Sequence, residues 1–364
     1  MSLSQFQKKG DVLSFTLEGV DVSLANAIRR TILADCESVS FSTEDYLNSD
    51  LKILKNTTSL HNEFILHRLG LIPVNIPSKK EFKPDKYLFK LNKKNNTGGT
   101  ISVTTNDFEV INTETNKTED TKTFFPLDPL TKEPILITKL VHNSNTEQQE
   151  LSIEGKASIS SGSKNARFIP VSQCVYINTP DKKKFSDAYE SQKESVSLKT
   201  FTIEESERYF KTNEEDNPNS FDFTIESIGI YAPEAIVSEA LSILSKKLLE
   251  TKTTLDSIVT ENQDNSKMRV YESLDRMKAQ MIEIKDESHT LGNLLQSHLM
   301  NHTDVMFSGY RNPHPLKNII ELKVMVKDNS LSLVNQVVAE TCDLLSGIIK
   351  KINTALVSKY KLTN

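Results

Sequence analysis

SLANAIRRTIL at residues 23–33 and TLGNLLQSHLM at residues 290–300 read as one helix written twice. Laid on one another, Ser23 meets Thr290, Leu24 meets Leu291, Ala25 meets Gly292 and Asn26 meets Asn293. Ala27 and Ile28 then meet Leu294 and Leu295, and Ile32 meets Leu299. In both copies the apolar residues recur at i, i+3, i+4 and i+8, which is one face of a helix. Each copy opens on a hydroxyl residue suited to an N-cap, Ser23 or Thr290. The copies stand 267 residues apart (26 to 293), far beyond any solenoid period, so they read as two related domains in one polypeptide.

A second echo follows in the same order. Residues 234–258 carry Ile236, Val237, Ala240, Leu241, Leu244, Leu248, Leu255 and Ile258 on one broad stripe. Residues 333–356 carry Val334, Val337, Val338, Thr341, Leu345, Ile348, Ile352 and Ala355. Both exceed the ~10–14 residues of an average helix, so each is expected to pack along much of its length. Each half therefore runs strand, short helix, strands, long helix. Two echoes in one order indicate duplication.

With 364 residues the chain has room for two or three domains. It contains no run of ~18 apolar residues, so no membrane span is expected. Its first residues lack the apolar core of a signal peptide. Without a secretion signal, the glycosylation patterns at Asn56, Asn95, Asn116 and Asn301 read as accidents of an Asn- and Thr-rich chain. Cys36, Cys174 and Cys342 stand too far apart for a disulfide framework or a metal-ligand pair, which favours an intracellular, reducing home. A formal net charge of −5 argues against a broad phosphate-binding surface.

Along the chain, DVLSFTLE (11–18) reads as a strand leading into the first repeated helix, and CESVSF (36–41) as the next strand. Residues 59–76 form a helix or strand-turn unit closed by Gly70 and Pro73. From about Lys79 to Asn165 short apolar runs, YLFKL (87–91), TISVTT (100–105) and PILITKLV (134–141), alternate with polar tracts. That pattern predicts a β-rich subdomain inserted into the first domain. Residues 166–178 and 221–230 read as returns to the main sheet, with EEDNPNS (214–220) as an exposed loop. The smaller half is expected to run KAQMIEI (278–284) as strand, the repeated helix, a turn at 309–318, IIELKVMV (319–326) as strand, and the final helix. Asn312-Pro313-His314-Pro315 cannot continue a helix and marks an exposed connector. The expected boundaries are 1–78 plus 166–259 for the larger half, 79–165 for the insert, 260–276 for the join, and 277–364 for the smaller half.

No catalytic constellation is read. His298 and His302 are i,i+4, but His298 falls on the apolar stripe and no acidic third ligand stands at helical spacing, so a packing role is expected. His61 and His67 flank NEFIL without a metalloprotease pattern, and Gly98-Gly99 is a turn signal without the sequel of a phosphate loop. Arg29 and Arg30 sit beside a stripe that must be buried, about 100° apart around the helix, so at least one can project toward another surface.

These residues resemble the α-type subunits of multisubunit DNA-dependent RNA polymerases. NAIRRTIL (26–33), HNEFILHRLGLIPV (61–74) and KNARFIPVSQCVY (164–176) are similar to the larger α-like subunit of the nuclear enzymes. SHTLGNLLQSHL (288–299) and GYRNPHPLKNIIELKV (309–324) are similar to its smaller α-like partner. One chain carrying both resembles an arrangement of some large DNA viruses.

The resemblance implies an α+β protein with two RNA polymerase α-subunit-like dimerisation domains, the first carrying the inserted β-rich subdomain. It implies a non-catalytic assembly platform for a DNA-directed RNA polymerase. In that platform Leu24, Ala27, Ile28, Ile32, Leu291, Leu294, Leu295 and Leu299 pair the halves, with Asn26 and Asn293 as the motif asparagines. Arg29, Arg30, His67 and Arg68 are expected to face the two large catalytic subunits, and a small zinc-ribbon-type subunit is expected alongside. No cofactor is expected on this chain, and the magnesium belongs to the large subunits. Residues 79–165 lack the cysteines with which some relatives build a zinc loop or iron–sulfur module, so no metal is expected there. Little DNA contact and no membrane contact are expected. The expected place is intracellular: the nucleus for a cellular source, the virion and host cytoplasm for a viral one. The rival readings are a stand-alone nucleic-acid-binding or scaffold protein using the same paired domains, and an enzyme with its site in the insert.

Overall fold

The computed structural model describes residues 2–361 apart from 46, 77, 78, 80, 81, 129, 130, 143–147, 195, 262–264, 274–278 and 329. The chain divides into two compact units. The first comprises Met1–Ile32, Gln173–Glu226 and Pro233–Asn364, and the second Leu33–Ser172 with Ser227–Ala232.

The chain opens with β1 (Ser2–Lys9), β2 (Val12–Glu18) and α1 (Val22–Ala34). The second unit follows, with β3 (Glu37–Ser40), β4 (Leu51–Asn56), α2 (Asn62–Gly70), β5 (Tyr87–Lys94), β6 (Ile101–Thr104), β7 (Phe108–Asn112) and β8 (Lys117–Glu119). It closes with α3 (Thr121–Phe124), β9 (Leu136–Leu140), β10 (Glu150–Gly155) and β11 (Ser158–Ser161). The first unit resumes with β12 (Val171–Asn178), α4 (Lys182–Gln192), α5 (Leu198–Glu205), β13 (Ser220–Ser227) and α6 (Pro233–Glu261). The last part is β14 (Met268–Glu272), β15 (Gln280–Lys285), α7 (His289–Leu299), β16 (Val305–Arg311), β17 (Ile319–Val326) and α8 (Leu331–Tyr360).

The first unit contains one plan twice. Its two four-stranded sheets have the orders β1-β2-β13-β12 and β14-β15-β17-β16. In each, the second strand leads into the short helix, the third leads into the long helix, and the fourth follows the short helix. The strands of VLSFTLE and SFDFTIES turn Leu13, Phe15, Leu17, Phe221, Phe223 and Ile225 inward. Phe15 and Phe223 are direct cross-strand partners and stack at 5.2 Å, a pairing that adds to the stability of the sheet.

The long helices carry the same buried face at a constant offset of 101 residues (236 to 337, 255 to 356). Ile236, Val237, Ala240, Leu241, Leu244, Leu248, Thr251 and Leu255 correspond to Val337, Val338, Thr341, Cys342, Leu345, Ile349, Ile352 and Leu356. Ile348 and Ala355, expected on the stripe, are half-buried, and Ile349 and Leu356 take their places. A 3.6-residue period leaves a choice between neighbouring positions that only the facing helix settles. Ser238 meets Asn353 and Asp256 meets Asn335, so α6 and α8 run antiparallel against one another.

The second unit is wider than the expected insert of 79–165. Its five-stranded sheet has the order β4-β10-β5-β7-β8, and β3–β11 and β6–β9 form two-stranded ribbons. Val39, Phe41, Leu51, Ile65, Leu66 and Leu69 share one core with Phe89, Phe108, Phe124 and Phe125. Phe41 touches Phe89 edge-on at 5.2 Å and lies 6.3 Å from both Phe108 and Phe125. Residues 33–78 are therefore drawn into this unit by the apolar surface they have to cover.

Other boundaries also move. Part of the expected join supplies an edge strand: β14 pairs with β15 and belongs to the smaller half. The rest of the join at 262–264 and 274–276, and Lys278 of the expected strand 278–284, lie outside the described residues. Gly309, Tyr310 and Arg311, expected in a turn, extend β16 along β17, and the exposed connector follows them. Helices α4 and α5, unanticipated, hold Phe185, Tyr189, Phe201 and Tyr209 in an aromatic cluster with Phe201 at its buried centre.

Candidate functional site at the paired helices

The caps of the two repeated helices lie two residues before the hydroxyls expected to form them. Asp21 accepts from the backbone N–H of Ser23 at 3.0 Å and of Leu24 at 3.3 Å, and also from the Ser23 hydroxyl. Ser288 accepts from the N–H of Thr290 at 3.4 Å. Asp21 and Ser288 obey the same 267-residue correspondence as the helices themselves. Ser23 and Thr290 become buried first-turn partners of the caps instead.

Leu24, Ala27, Ile28, Ile32, Leu291, Leu294, Leu295 and Leu299 are all at most 2% exposed. Each fully buried leucine or isoleucine contributes about 1.5–3 kcal/mol relative to exposure. Two polar links join the helices. Arg30 Nε donates to Thr290 Oγ1 at 2.9 Å, and His298 Nε2 lies 3.5 Å from Asp21 Oδ1. The end of α1 thus meets the start of α7 and the reverse, so the helices run antiparallel.

The side chains around this axis are held. Arg29 donates to its own helix, with Nε 3.1 Å and Nη2 2.9 Å from Asn26 Oδ1. Its charge also reaches β12, where burial pushes the Cys174 thiol up to about 12 and raises Tyr176, with Arg29 opposing both shifts. Both arginines are half-buried and engaged inside the first unit. Gly292, the counterpart of Ala25, is required by a close approach: a β-carbon there would stand 2.5 Å from Tyr310 Cδ2. Tyr310 also meets His289 edge-on at 5.8 Å. The two most specific motifs of the smaller half, HTLGN and GYRNPHP, are thereby one packing unit.

His298 is 11% exposed at its side chain, and its Nδ1 is buried with no hydrogen-bond partner among the described residues. Burial lowers its pKa below the usual 6.5, and Asp21 acts in the opposite direction. His302 Nε2 lies 3.0 Å from Glu340 Oε2, so the i,i+4 pair serves two different partners. The cap of α1 and the last turn of α7 border a cavity of about 510 Å³ that includes His298, Asn301, Asn219 and Glu215. Cys342, like Cys174, is pushed up to about 12 by burial, which keeps its thiol from acting as a nucleophile at neutral pH. Among the described residues no His, Cys, Asp and Glu group is placed to hold a metal ion, and no helix is long and apolar enough to cross a membrane.

His67 and Arg68 lie in the second unit, on the exposed face of α2. Arg68 donates from Nε to Ile137 O and from Nη2 to Leu136 O, both at 2.8 Å. Phe64 and Leu71, on and just beyond that helix, are 65% and 59% exposed, and Leu54 on adjoining β4 is 60% exposed. The sequence reading named none of the three. Phe64 and Leu71, at i and i+7 on the helix face that carries His67 and Arg68 at i+3 and i+4, were the available signal.

Comparison with known proteins separates the halves in the same way. Two family models described as the RNA polymerase Rpb3/Rpb11 dimerisation domain match, one over residues 14–248 and one over residues 279–355. The chain is 29% identical over 266 residues to DNA-directed RNA polymerase subunit Rpo3 of Thermococcus kodakarensis, covering 66% of this chain and 92% of that one. It is 26% identical over 268 residues to DNA-directed RNA polymerase II subunit RPB3 of Schizosaccharomyces pombe, covering 67% and 84%. It is 36% identical over 90 residues to the probable DNA-directed RNA polymerase II subunit RPB11 of Plasmodium falciparum, covering 22% and 64%.

Proposed function

We infer the role of this chain from one premise: it belongs to the RNA polymerase Rpb3/Rpb11 dimerisation-domain family. It is a non-catalytic assembly subunit of a DNA-directed RNA polymerase, with the larger and smaller α-like partners fused in one polypeptide. The observation that carries this reading is the repeated sheet order, closed across two pairs of antiparallel helices. Fusion supports assembly physically. A tether converts association of the halves into an intramolecular step at an effective concentration of up to roughly millimolar.

The paired halves recruit two large catalytic subunits, which hold the magnesium and the DNA, together with a small zinc-ribbon-type subunit. His67 and Arg68, with Phe64 and Leu71 beside them, form the docking face for a large subunit. Arg29 and Arg30 act one step back, by fixing the helix pair. The compartment follows the enzyme: the nucleus in a cell, the virion and host cytoplasm for a large DNA virus.

The test is a tagged pull-down from the native source, with partners identified by mass and the eluate assayed for transcription. Two large subunits in equal amount, with no separate small α-like chain, are expected. Recovery of the chain alone, or with a free α-like partner, overturns the fused-platform reading.

A further inference from the structure

In the second unit, hydrogen bonds tie residues 38–43 to two stretches distant in sequence, HNEFILHRLGLIPV (61–74) and NARFIPV (165–171). Toward the later stretch, Ser38 Oγ donates to Phe168 O at 2.7 Å. Arg167 Nη1 donates to Phe41 O and to Thr43 Oγ1, each at 2.8 Å. Toward the earlier stretch, Ser40 Oγ donates to Gly70 O at 3.0 Å and Thr43 Oγ1 to Leu66 O at 2.9 Å. The Thr43 hydroxyl thus takes a hydrogen bond from Arg167 and passes one on to the C-terminal half of α2.

The Arg167 side chain is only 6% exposed, and the carboxylate it meets, Glu44 at 3.6 Å, is itself 66% exposed. Its Nε donates to Asn165 Oδ1 at 3.2 Å. A buried guanidinium is costly unless its donors are matched, and here carbonyl, hydroxyl and amide oxygens match them. Gly70 supplies the room: a β-carbon there would collide with Arg167 Nη1 and Thr43 Oγ1. The positive charge therefore rests against the C-terminal end of α2, where the helix dipole is negative. Arg68 holds the same helix a second time, through the carbonyls of Leu136 and Ile137. With Ile65, Leu66 and Leu69 in the core, these contacts fix how far α2 is turned, and hence where Phe64 and His67 point.

We propose that Arg167 is the positioning residue of the docking face: through Thr43 and Gly70 it sets the seat of α2, and with it the side chains that meet a large subunit. A recognition surface needs its side chains held to about 0.5 Å, and the hydrogen bonds behind them supply that precision. The proposal rests on the reading of α2 as the docking face. Arg167 is itself too buried to meet a partner, so its effect passes through the helix.

The experiment compares four full-length variants in the tagged pull-down: Thr43→Val, Thr43→Ser, Arg167→Met and Phe64→Asp. Valine keeps the shape of threonine and loses the hydroxyl, whereas serine keeps the hydroxyl and loses a methyl group. Thr43→Val and Arg167→Met should recover about two- to tenfold less of a large subunit, the worth of one net hydrogen bond. Thr43→Ser should stay at the wild-type level. Equal losses in the two Thr43 variants, or the reverse order that packing alone would give, would overturn the proposal. Where Arg167→Met does not fold, the Thr43 pair still decides. Wild-type recovery with Thr43→Val, beside a loss with Phe64→Asp, would remove the role of Arg167 and leave the docking face standing. Wild-type recovery with Phe64→Asp would remove the face, and the proposal with it.

Discussion

Arg30 Nε stands 2.9 Å from Thr290 Oγ1, joining the C-terminal half of one repeated helix to the first turn of the other across 260 residues of sequence. Thr290 is 5% exposed and also takes the Ser288 hydroxyl at 3.2 Å, so the link runs from a guanidinium into a helix cap. Removing the guanidinium leaves a buried hydroxyl short of a donor. Arg30→Ala should lower unfolding stability by about 1–3 kcal/mol, measured by denaturant titration. Loss no greater than that of an exposed lysine on the same unit would return Arg30 to a solvated role.

Leu295 is fully buried at the centre of the α7 face. Leu295→Ala should cost about 2–5 kcal/mol. Leu295→Asp, which places an unpaired charge there, should leave the chain insoluble or unable to assemble. A Leu295→Asp protein with wild-type melting and wild-type partners would mean that the helices are not paired through this face.

Gly292 lies under the Tyr310 ring. Gly292→Ala should cost about 1–3 kcal/mol by overpacking, despite the better helix propensity of alanine. The penalty should shrink when Tyr310→Ala is made in the same chain, a coupling readable from a double-mutant cycle. Additive losses would separate the two motifs.

His298 should make stability fall with acid. Its folded pKa is lowered from 6.5 by burial, so as pH drops below that value the unfolded chain takes the proton more readily than the folded one. Stability is complete above pH 6.5 and declines below it. Between pH 7 and 5 the wild type should lose more of its denaturation midpoint than His298→Gln. Parallel losses would mean that other groups govern the acid limb.

Phe64 and His67 carry the docking face proposed for α2. Phe64→Asp should leave the melting curve of the purified chain within about 0.5 kcal/mol of wild type, as expected for an exposed site. It should nonetheless reduce recovery of a large subunit in the pull-down. Undiminished recovery would move the contact elsewhere.

Much of this protein was legible in its sequence because apolar periodicity is a local property. The repeat of 23–33 at 290–300 set out the eight buried positions of the paired helices, the duplicated order of elements and the family to which the chain belongs. The two long helices were visible for the same reason. What only the tertiary structure decided is where partners come from elsewhere in the chain. The caps passed to Asp21 and Ser288 because backbone entry angle, and not the nearest hydroxyl, places an N-cap. Ile349 replaced Ile348 because α6 determines which turn of α8 is covered. Residues 33–78 joined the second unit because Phe41 and Leu66 complete a core built around Phe89 and Phe125. Arg30 found Thr290, and Gly292 found Tyr310, through contacts that no spacing records. Periodicity says that a face must be buried; the fold alone says against what.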